Sequence, residues 1–254
     1  AAHGLALHRT PASEAPQTLE RIAGIGPDLI LVIGWSQLCG PALRAIPRIG
    51  CLGFHPSALP RLRGRGVIPW TILLGLTETG ASLFWLGEGA DTGPIAAQRR
   101  IAVDPARDTA ASLYARQIAA LVEMLPPLVV RIAAGEVPAE PQDEAEATIC
   151  ARRRPRDGRI DWTRPAHEVE RLIRAVGPPY PGAFTSDAAG NRIVLTGARP
   201  HPWPGRFVGL PGQVQEITDD GFTVACGDAR CIDVTAWQGA AEAPRLHTML
   251  GDRP

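Results

Sequence analysis

Two short segments of the sequence carry side chains that could transfer a proton. Residues 53–57 (GFHPS) and residues 88–93 (EGADTG) each follow an apolar run. A histidine directly before a proline is held extended, and at the carboxyl end of a parallel strand it points into the binding crevice of the sheet. If Asp91 meets His55 there, the carboxylate orients the imidazole and raises its basicity. Two alternatives stay open: a structural histidine that caps a loop, and an ordinary turn rich in Asp and Gly.

Several other kinds of chemistry are excluded by the residue types present. All 26 basic side chains are Arg, and without Lys the chain can form neither a Schiff base nor a P-loop phosphate site. There is no G-x-S-x-G motif, and no cysteine has an evident histidine partner. The five cysteines form no CxxC pair, which argues against a disulfide framework, and no spacing suggests a metal site. What remains is attack by an uncharged nucleophile, with proton transfer by His55 and electrostatic stabilisation by its neighbours.

Length, charge and hydropathy limit where the protein works. The chain has 254 residues, enough for one large domain or two moderate ones. Its 26 basic and 26 acidic side chains cancel, so no overall field directs it to nucleic acid or to anionic lipid. No apolar run approaches the ~18–20 residues of a membrane span, and the amino terminus lacks a signal-peptide pattern. Together with the unpaired cysteines, these features predict a soluble protein of the cytoplasm.

The elements that must position the two segments follow from hydrophobic patterning. Strands are predicted over 28–33, 49–54 and 81–86, and helices over 66–74 and 109–133. Within the last helix, two consecutive prolines predict a kink. This alternation of strands and helices predicts an α/β fold with an open sheet and helices on its faces.

A change of pattern divides the chain. Residues 137–147 are rich in proline and acid, lack periodicity and read as a linker. A helix over 165–176 and several short β runs separated by turn residues follow, which predicts a small β-barrel or sandwich. The predicted boundaries are 1–136 for the catalytic α/β domain, 137–155 for the linker and 156–254 for the C-terminal helix plus small β-barrel.

Several short motifs, in a fixed order along the chain, carry a resemblance to a known family. They are 53–64 (GFHPSALPRLRG), 75–80 (GLTETG), 88–93 (EGADTG), 141–144 (PQDE), 157–162 (DGRIDW) and 179–184 (PYPGAF). From about Gly4 to Trp237 the chain resembles the formyltransferases that use 10-formyltetrahydrofolate, which include methionyl-tRNA formyltransferase and the sugar-nucleotide N-formyltransferases. The resemblance implies an open, mostly parallel Rossmann-like sheet, here without the family's first βαβ unit, followed by a small OB-like β-barrel.

The resemblance also implies a catalytic trio of Asn, His and Asp. His55 takes the His position, Asp91 takes the Asp position, and Gly53 stands where the Asn is expected. The only asparagine of the chain, Asn191, lies in a predicted hairpin turn. Loss of such an oxyanion donor typically costs about 10²–10³ in rate. A backbone N–H and an ordered water are the two substitutes left open.

The same resemblance implies where the ligands bind. Residues expected to contact the donor, 10-formyltetrahydrofolate, largely through their backbone are Ile33, Gly34, Trp35, Gly89, Ala90 and Asp91. Residues expected to border the acceptor are Ser57, Leu59, Arg61, Arg63 and Arg65. The three arginines could bind a phosphate in a bidentate manner, and the alternative for them is a solvated loop.

The resemblance therefore implies transfer of a formyl group to a primary amine by direct attack, assisted by His55 and Asp91. The expected acceptor is an amino sugar linked to a nucleotide. Zero net charge makes tRNA a less attractive partner, because tRNA affinity depends on phosphate neutralisation. Methionyl-tRNA and a peptide or natural-product amine remain alternatives, and the oligomeric state, including a homodimer, is open. Because of Gly53, a hydrolase that gives the formyl group to water and a non-catalytic binding module are further alternatives.

Overall fold

The structure, a computed structural model, describes residues 4, 6–239 and 242–251. The helices of these residues are α1 (Pro16–Ile25), α2 (Pro41–Arg44), α3 (Val67–Leu73), α4 (Ala110–Ala133) and α5 (Ala166–Val176). The strands are β1 (Leu29–Val32), β2 (Gly50–His55), β3 (Arg63–Gly64), β4 (Glu78–Trp85), β5 (Ile95–Ala102), β6 (Ile149–Cys150), β7 (Ala183–Ser186), β8 (Arg192–Pro200), β9 (Val214–Thr218), β10 (Gly221–Ala225) and β11 (Cys231–Gln238). The chain divides into two compact units, each built from several segments.

The first unit comprises Ala1–Gly64, Gly80–Ile101 and Gln117–Cys150. Its sheet has the strand order β1-β2-β4-β5. Apolar side chains of β2 and β4, Leu52 and Leu83, pack against α4 in a core that explains why these two strands are buried. The predicted open α/β sheet is therefore confirmed, and it places the carboxyl end of β2 in the middle of the sheet.

The direction of β4 differs from the simplest expectation for a wound sheet. Strands β1 and β2 are parallel, whereas β2 and β4 are antiparallel, with Gly53 opposite Phe84 and His55 opposite Ser82. A parallel return needs a crossover helix that packs back on the sheet. The intervening helix α3 instead buries Ile68 and Ile72 in the core of the second unit, and β4 runs in the opposite direction.

The second unit comprises Arg65–Thr79, Ala102–Arg116 and Ala151–Pro254. Its sheet has the order β7-β8-β11-β10-β9, and every pairing in it is antiparallel. The predicted β-barrel is not closed, because within the described residues no pairing joins β7 to β9. Helix α5 contributes Val169 and Ile173 to the core beside this sheet, so a helix covers the face that the opposite wall of a barrel would cover.

Helix α4 runs without interruption through Pro126 and Pro127. Among the described helices, it is the one that is long and apolar enough to cross a membrane by length and composition. However, its apolar side chains Leu121 and Leu128 are buried in the core of the first unit, and Gln117 donates a hydrogen bond to the Pro56 carbonyl oxygen at 2.7 Å. These contacts are those of a core helix.

The stretch that reads as a linker is tied closely to the first unit. We call residues 138–150 the clasp segment. The Trp85 indole N–H donates to the Pro138 carbonyl oxygen at 2.7 Å, and Glu140 pairs with Ile95. Further along the clasp segment, β6 pairs in parallel with β3. The proline and acid content of the clasp segment gives no indication of these contacts, because each contact joins residues that are distant in the sequence.

The carboxylate of Asp108 organises the start of α4. It accepts hydrogen bonds from the Ser112 hydroxyl at 2.7 Å and the Asp104 backbone N–H at 2.8 Å, and it pairs with Arg116. Burial alone would raise the pKa of Asp108, but these hydrogen bonds and the Arg116 charge outweigh it and hold the pKa below its ordinary value. A depressed carboxyl pKa stabilises the fold above the unfolded-state pKa, and this stabilisation is lost as pH falls.

We predict that Asp108→Asn lowers the free energy of unfolding by about 1–2 kcal/mol near neutral pH. The difference from the unsubstituted protein should shrink as pH falls below about 5, because the carboxylate of the unfolded chain then begins to bind protons while the native one, with its lower pKa, does not. Urea unfolding across this pH range measures both effects. Asp219→Asn, which changes an exposed turn carboxylate, serves as the control. A difference that stays constant with pH would contradict the assignment.

Candidate functional site

His55 lies at the carboxyl end of β2, with its side chain only 5% exposed. Its Nε2 is 2.7 Å from the carbonyl oxygen of Leu62. A carbonyl oxygen can only accept a hydrogen bond, so Nε2 carries the proton and donates it. The ring orientation is therefore set by the backbone of the loop that follows β2, and Nδ1 is left to face the other side.

Asp91 meets His55 on that other side. Its Oδ2 is 3.4 Å from Nδ1 of His55 and accepts a hydrogen bond from the Gly64 backbone N–H at 2.8 Å. Asp91 has a left-handed backbone conformation, with φ of 58°, which is uncommon for a residue with a side chain. The structure thus brings together the imidazole and the carboxylate that the sequence places in separate segments.

The tautomer of His55 determines what this contact can be. Nδ1 of His55 and Oδ2 of Asp91 both present lone pairs when the imidazole is neutral, because its proton is on Nε2. A hydrogen bond between them exists only when one more proton is present, as in an imidazolium facing a carboxylate. The arrangement can therefore accept a proton during a reaction. Asp91, with its side chain 21% exposed, is the member that solvent can reach.

Buried polar side chains fix the loop between β2 and β3. The Ser57 hydroxyl donates to the Arg61 carbonyl oxygen at 2.6 Å, and the Ser82 hydroxyl donates to the Ser57 carbonyl oxygen at 2.7 Å. The Gln98 amide donates to the Leu59 carbonyl oxygen at 2.9 Å. Because each of these bonds is at least partly shielded from water, the loop that orients His55 is held from several sides.

Arg63 is buried and paired within the first unit. Its guanidinium donates to the Glu144 carboxylate at 2.7 and 2.8 Å and to the Gln142 side-chain oxygen at 2.8 and 3.1 Å. Hydrogen bonding to Glu144 raises the pKa of Arg63 against the opposing effect of burial, and the same bond lowers the pKa of Glu144. With its donors directed at these two partners, Arg63 supports the loop and is not placed to bind a phosphate.

The other residues expected near the acceptor divide into buried and exposed. Ser57 and Leu59 are buried in the loop, at 1% and 3% exposure. The exposed Arg61 forms an ion pair with Glu146 at 2.5 Å. Arg65 is the first residue of the second unit. Of the expected acceptor-binding residues in the first unit, Arg61 is thus the one that presents charge to solvent.

The segments expected to bind the donor are open to solvent. Ile33 and Trp35, which follow β1, are 41% and 37% exposed, and Gly34 between them has φ of 70°. Gly89 and Ala90, directly before Asp91, are exposed as well. Both segments are therefore accessible to a ligand from solvent, and their contact with the donor stays a prediction.

Gly53 shares a sheet face with His55, two residues away along β2. A Cβ atom at Gly53 would lie 2.7 Å from Leu86 Cδ2 and 2.9 Å from Phe84 Cε1, so the space of the expected Asn side chain is filled by hydrocarbon. The Gly53 backbone lies between β1 and β4, where N–H groups point in the plane of the sheet. Neither the side chain nor the backbone of residue 53 offers a donor in front of His55.

Cysteine offers no alternative nucleophile in the first unit. Burial raises the pKa of Cys51 in β2 to about 11 and that of Cys150 in β6 to about 11, and it also raises the pKa of Cys39. A thiol with such a pKa is protonated at neutral pH and therefore unreactive. The proton-holding pair of His55 and Asp91 remains the chemical feature of this site.

Sequence reasoning missed the polar residues of the clasp segment that contact the site. Gln142 donates to the carbonyl oxygens of Asp91 at 2.8 Å and Gly93 at 2.7 Å, and the Thr148 hydroxyl accepts from the Leu62 N–H at 2.8 Å. The motif PQDE at 141–144 could have indicated this role, because four residues of a predicted linker that resemble a family motif suggest a contact at that point.

Comparison with known proteins places the chain. Residues 6–129 match the family model described as formyl transferase, and residues 153–244 match the model described as formyl transferase, C-terminal domain. The chain belongs to the formyl transferase family. The two matches leave residues 130–152 between them, a stretch that contains the whole clasp segment.

Solved structures of similar fold include the following three. HypX from Aquifex aeolicus, in complex with tetrahydrofolic acid, has a TM-score of 0.71 and 22% identity over 89% of this chain and 38% of its own. An N-formyltransferase from Helicobacter canadensis, in complex with folinic acid and dTDP-3-aminofucose, has a TM-score of 0.54 and 20% identity over 72% and 65%. Methionyl-tRNA formyltransferase from Clostridium thermocellum has a TM-score of 0.60 and 24% identity over 75% and 79%.

The filled space at Gly53 in this formyl transferase family member yields a stability prediction. Gly53→Asn should cost about 1–3 kcal/mol through overpacking against Leu86 and Phe84. In the double variant Gly53→Asn/Leu86→Ala the amide takes the space of the leucine, so the two changes should cost less together than the sum of the single variants. Urea unfolding of the four proteins gives the coupling energy. Additive effects would show that Leu86 does not occupy the space.

Proposed function

We propose that this chain transfers a formyl group from 10-formyltetrahydrofolate to a primary amine, and that the acceptor is an amino sugar linked to a nucleotide. The observation that carries the proposal is the His55–Asp91 pair, with 3.4 Å between Nδ1 and Oδ2 at the end of a central strand. Membership of the formyl transferase family supports it. The chain spans 38% of HypX, so the activity of a whole protein of that length is not transferred with it.

In the proposed reaction the uncharged amine attacks the formyl carbon, the bond from that carbon to N10 of the folate breaks, and N10 receives a proton. The pair supplies the proton handling. Both ring nitrogens of His55 are engaged, with Leu62 and Asp91, so the exposed carboxylate of Asp91 is where protons enter and leave. In this scheme the Asp91 carboxylate accepts the proton of the attacking amine. The positive charge of the neighbouring imidazolium stabilises the oxyanion. One proton is taken from the amine and one is returned to N10.

The acceptor class follows from charge and from one relative. Arg61 lies exposed at the rim of the loop in an ion pair with Glu146, and a diphosphate would take the place of that carboxylate. The Helicobacter canadensis N-formyltransferase holds a dTDP-linked amino sugar. A chain of zero formal charge suits such a ligand better than tRNA, although one relative is a methionyl-tRNA formyltransferase. We extend the proposal to a reducing, cytoplasmic setting, which the five free cysteines support.

A product assay tests the proposal. The protein is incubated with 10-formyltetrahydrofolate and a panel of nucleotide-linked amino sugars, peptides and amine metabolites, and mass spectrometry detects the gain of one formyl group. We expect formylation of an amino sugar, and we expect His55→Ala and Asp91→Asn each to lower kcat/KM by about 10²–10⁴. The matched controls are His167→Ala and Asp219→Asn, which change exposed side chains and should leave the rate unchanged.

Two outcomes would overturn the proposal. Steady release of formate in the absence of any amine, abolished by the same two variants, would make the protein a hydrolase. Binding of the folate without turnover of any acceptor or of water would make it a binding module. Formylation of a peptide or of methionyl-tRNA alone would retain the reaction and replace the acceptor class.

A further inference from the structure

We infer that Gln142 and Thr148 of the clasp segment are positioning residues, which together hold Nδ1 of His55 facing Oδ2 of Asp91 at 3.4 Å. Gln142 acts on the side of Asp91 and Thr148 on the side of His55. Neither residue was assigned to the site from the sequence. The inference deepens the proposed function, on which its kinetic part rests, while its structural part concerns the protonation of His55 alone.

Gln142 uses every hydrogen-bonding position of its amide. Its nitrogen donates to the carbonyl oxygens of Asp91 and Gly93, at 2.8 and 2.7 Å. Its oxygen accepts from Nε and Nη2 of Arg63, at 3.1 and 2.8 Å. Because the cation and the carbonyl groups demand opposite ends of the amide, the side chain fits in one orientation only. Gln142 therefore links Arg63 to the turn that carries Asp91 and holds the two in a fixed relative position.

The turn at Asp91 needs such support. A left-handed conformation at a residue with a side chain costs roughly 1–2 kcal/mol, and Asp91 has φ of 58°. Directly after it the backbone passes very close to β4, since a Cβ at Gly93 would overlap the Trp85 carbonyl oxygen. The two bonds from Gln142 span this strained turn on both sides of Thr92. They hold Asp91 in the one conformation that directs Oδ2 towards His55.

Thr148 supports the opposite side of the pair. Its hydroxyl accepts a hydrogen bond from the Leu62 N–H at 2.8 Å, and its carbonyl oxygen accepts from the Arg63 N–H at 2.8 Å. Leu62, itself left-handed with φ of 59°, supplies the carbonyl oxygen that receives the Nε2 proton of His55. Thr148 therefore holds in place the Leu62 carbonyl group, to which Nε2 of His55 donates its proton.

One short segment thus controls both ends of the imidazole. The pairing of β6 with β3 places Gly64 where its N–H reaches Oδ2 of Asp91, so the backbone of the clasp segment reinforces what its side chains do. Loss of the Gln142 bonds would let the Asp91 turn relax and lengthen the gap between Nδ1 and Oδ2. The second proton of His55 would then have no partner, and the ring would hold it less well.

Three variants separate the two roles. Gln142→Glu keeps the contact with Arg63 but cannot donate to the Asp91 and Gly93 carbonyl oxygens, so it breaks one side of the support with almost no change in shape. Thr148→Val removes the acceptor for the Leu62 N–H, and Thr148→Ser restores it. Gln215→Glu is the matched control, because the Gln215 amide also donates to a backbone carbonyl oxygen, that of Gln213, in the second unit.

Ring ¹⁵N chemical shifts of His55 give the direct readout, with His55→Ala identifying the signals. We expect the His55 ring signals of Gln215→Glu to match those of the unsubstituted protein. In Gln142→Glu the Nδ1 signal should differ from that of the unsubstituted protein, because the carboxylate that faces this nitrogen is no longer held in place. In Thr148→Val the Nε2 signal should change, and in Thr148→Ser it should match the unsubstituted protein. Unchanged His55 signals in Gln142→Glu and Thr148→Val, with both proteins folded by circular dichroism, would overturn the inference.

The kinetic readout is a loss of kcat at similar KM for the amine. Misplacement of a catalytic group by about 1 Å costs roughly 10²-fold, and we expect Gln142→Glu to approach that loss with a shifted pH profile. The two readouts keep the proposals distinguishable. If the ¹⁵N signals respond as expected while the unsubstituted protein transfers no formyl group, the positioning role stands and the proposed function fails.

Discussion

The arrangement of the site depends on one constraint, the buried imidazole of His55 with both nitrogens engaged. Nε2 must donate to the Leu62 carbonyl oxygen, and this forces Nδ1 to face the Asp91 carboxylate. A neutral ring would then set two lone pairs against each other, whereas one extra proton turns the same contact into a hydrogen bond. The backbone of the loop therefore determines which ring nitrogen faces the carboxylate, and the groups that hold the Leu62 carbonyl in place also fix this orientation.

That dependence explains why so many long-range bonds converge on two loops. Both Leu62 and Asp91 have left-handed backbones, a conformation that side-chain-bearing residues adopt only when the surroundings compensate. Much of the compensation comes from the clasp segment: Gln142 and Thr148 bond the two loops directly, and Arg63 joins Gln142 to Glu144. The left-handed conformations at Leu62 and Asp91 and the hydrogen bonds made by the polar groups around them therefore belong together, because the bonds offset the cost of the conformations.

Local pattern predicted the elements and the two chemical residues but not their support. The apolar runs of β2 and β4 and the helical spacing of α3 and α5 were visible because each depends on residues near in sequence. Strand β5 was missed because Gln98, Arg99 and Arg100 interrupt its apolar pattern. The contacts of the clasp segment were not predicted, because its bonds reach partners such as Gly93, Ile95 and Leu62, which lie far away in the sequence where composition cannot show them. The prediction of a closed barrel was wrong for the same reason, since only the packing of α5 shows which face of the second unit's sheet is covered.

The hydrocarbon beside Gly53 also bears on how the site works. A site that presented an amide there would share the stabilisation of an oxyanion between a neutral donor and the imidazolium. Here Leu86 and Phe84 occupy that space, and in the proposed reaction the charge of the imidazolium would be the stabilising group. Apolar walls lower the local dielectric and strengthen the field of that charge. Because the field acts only while the proton is held, a site without the amide depends more on the clasp segment that keeps His55 and Asp91 together.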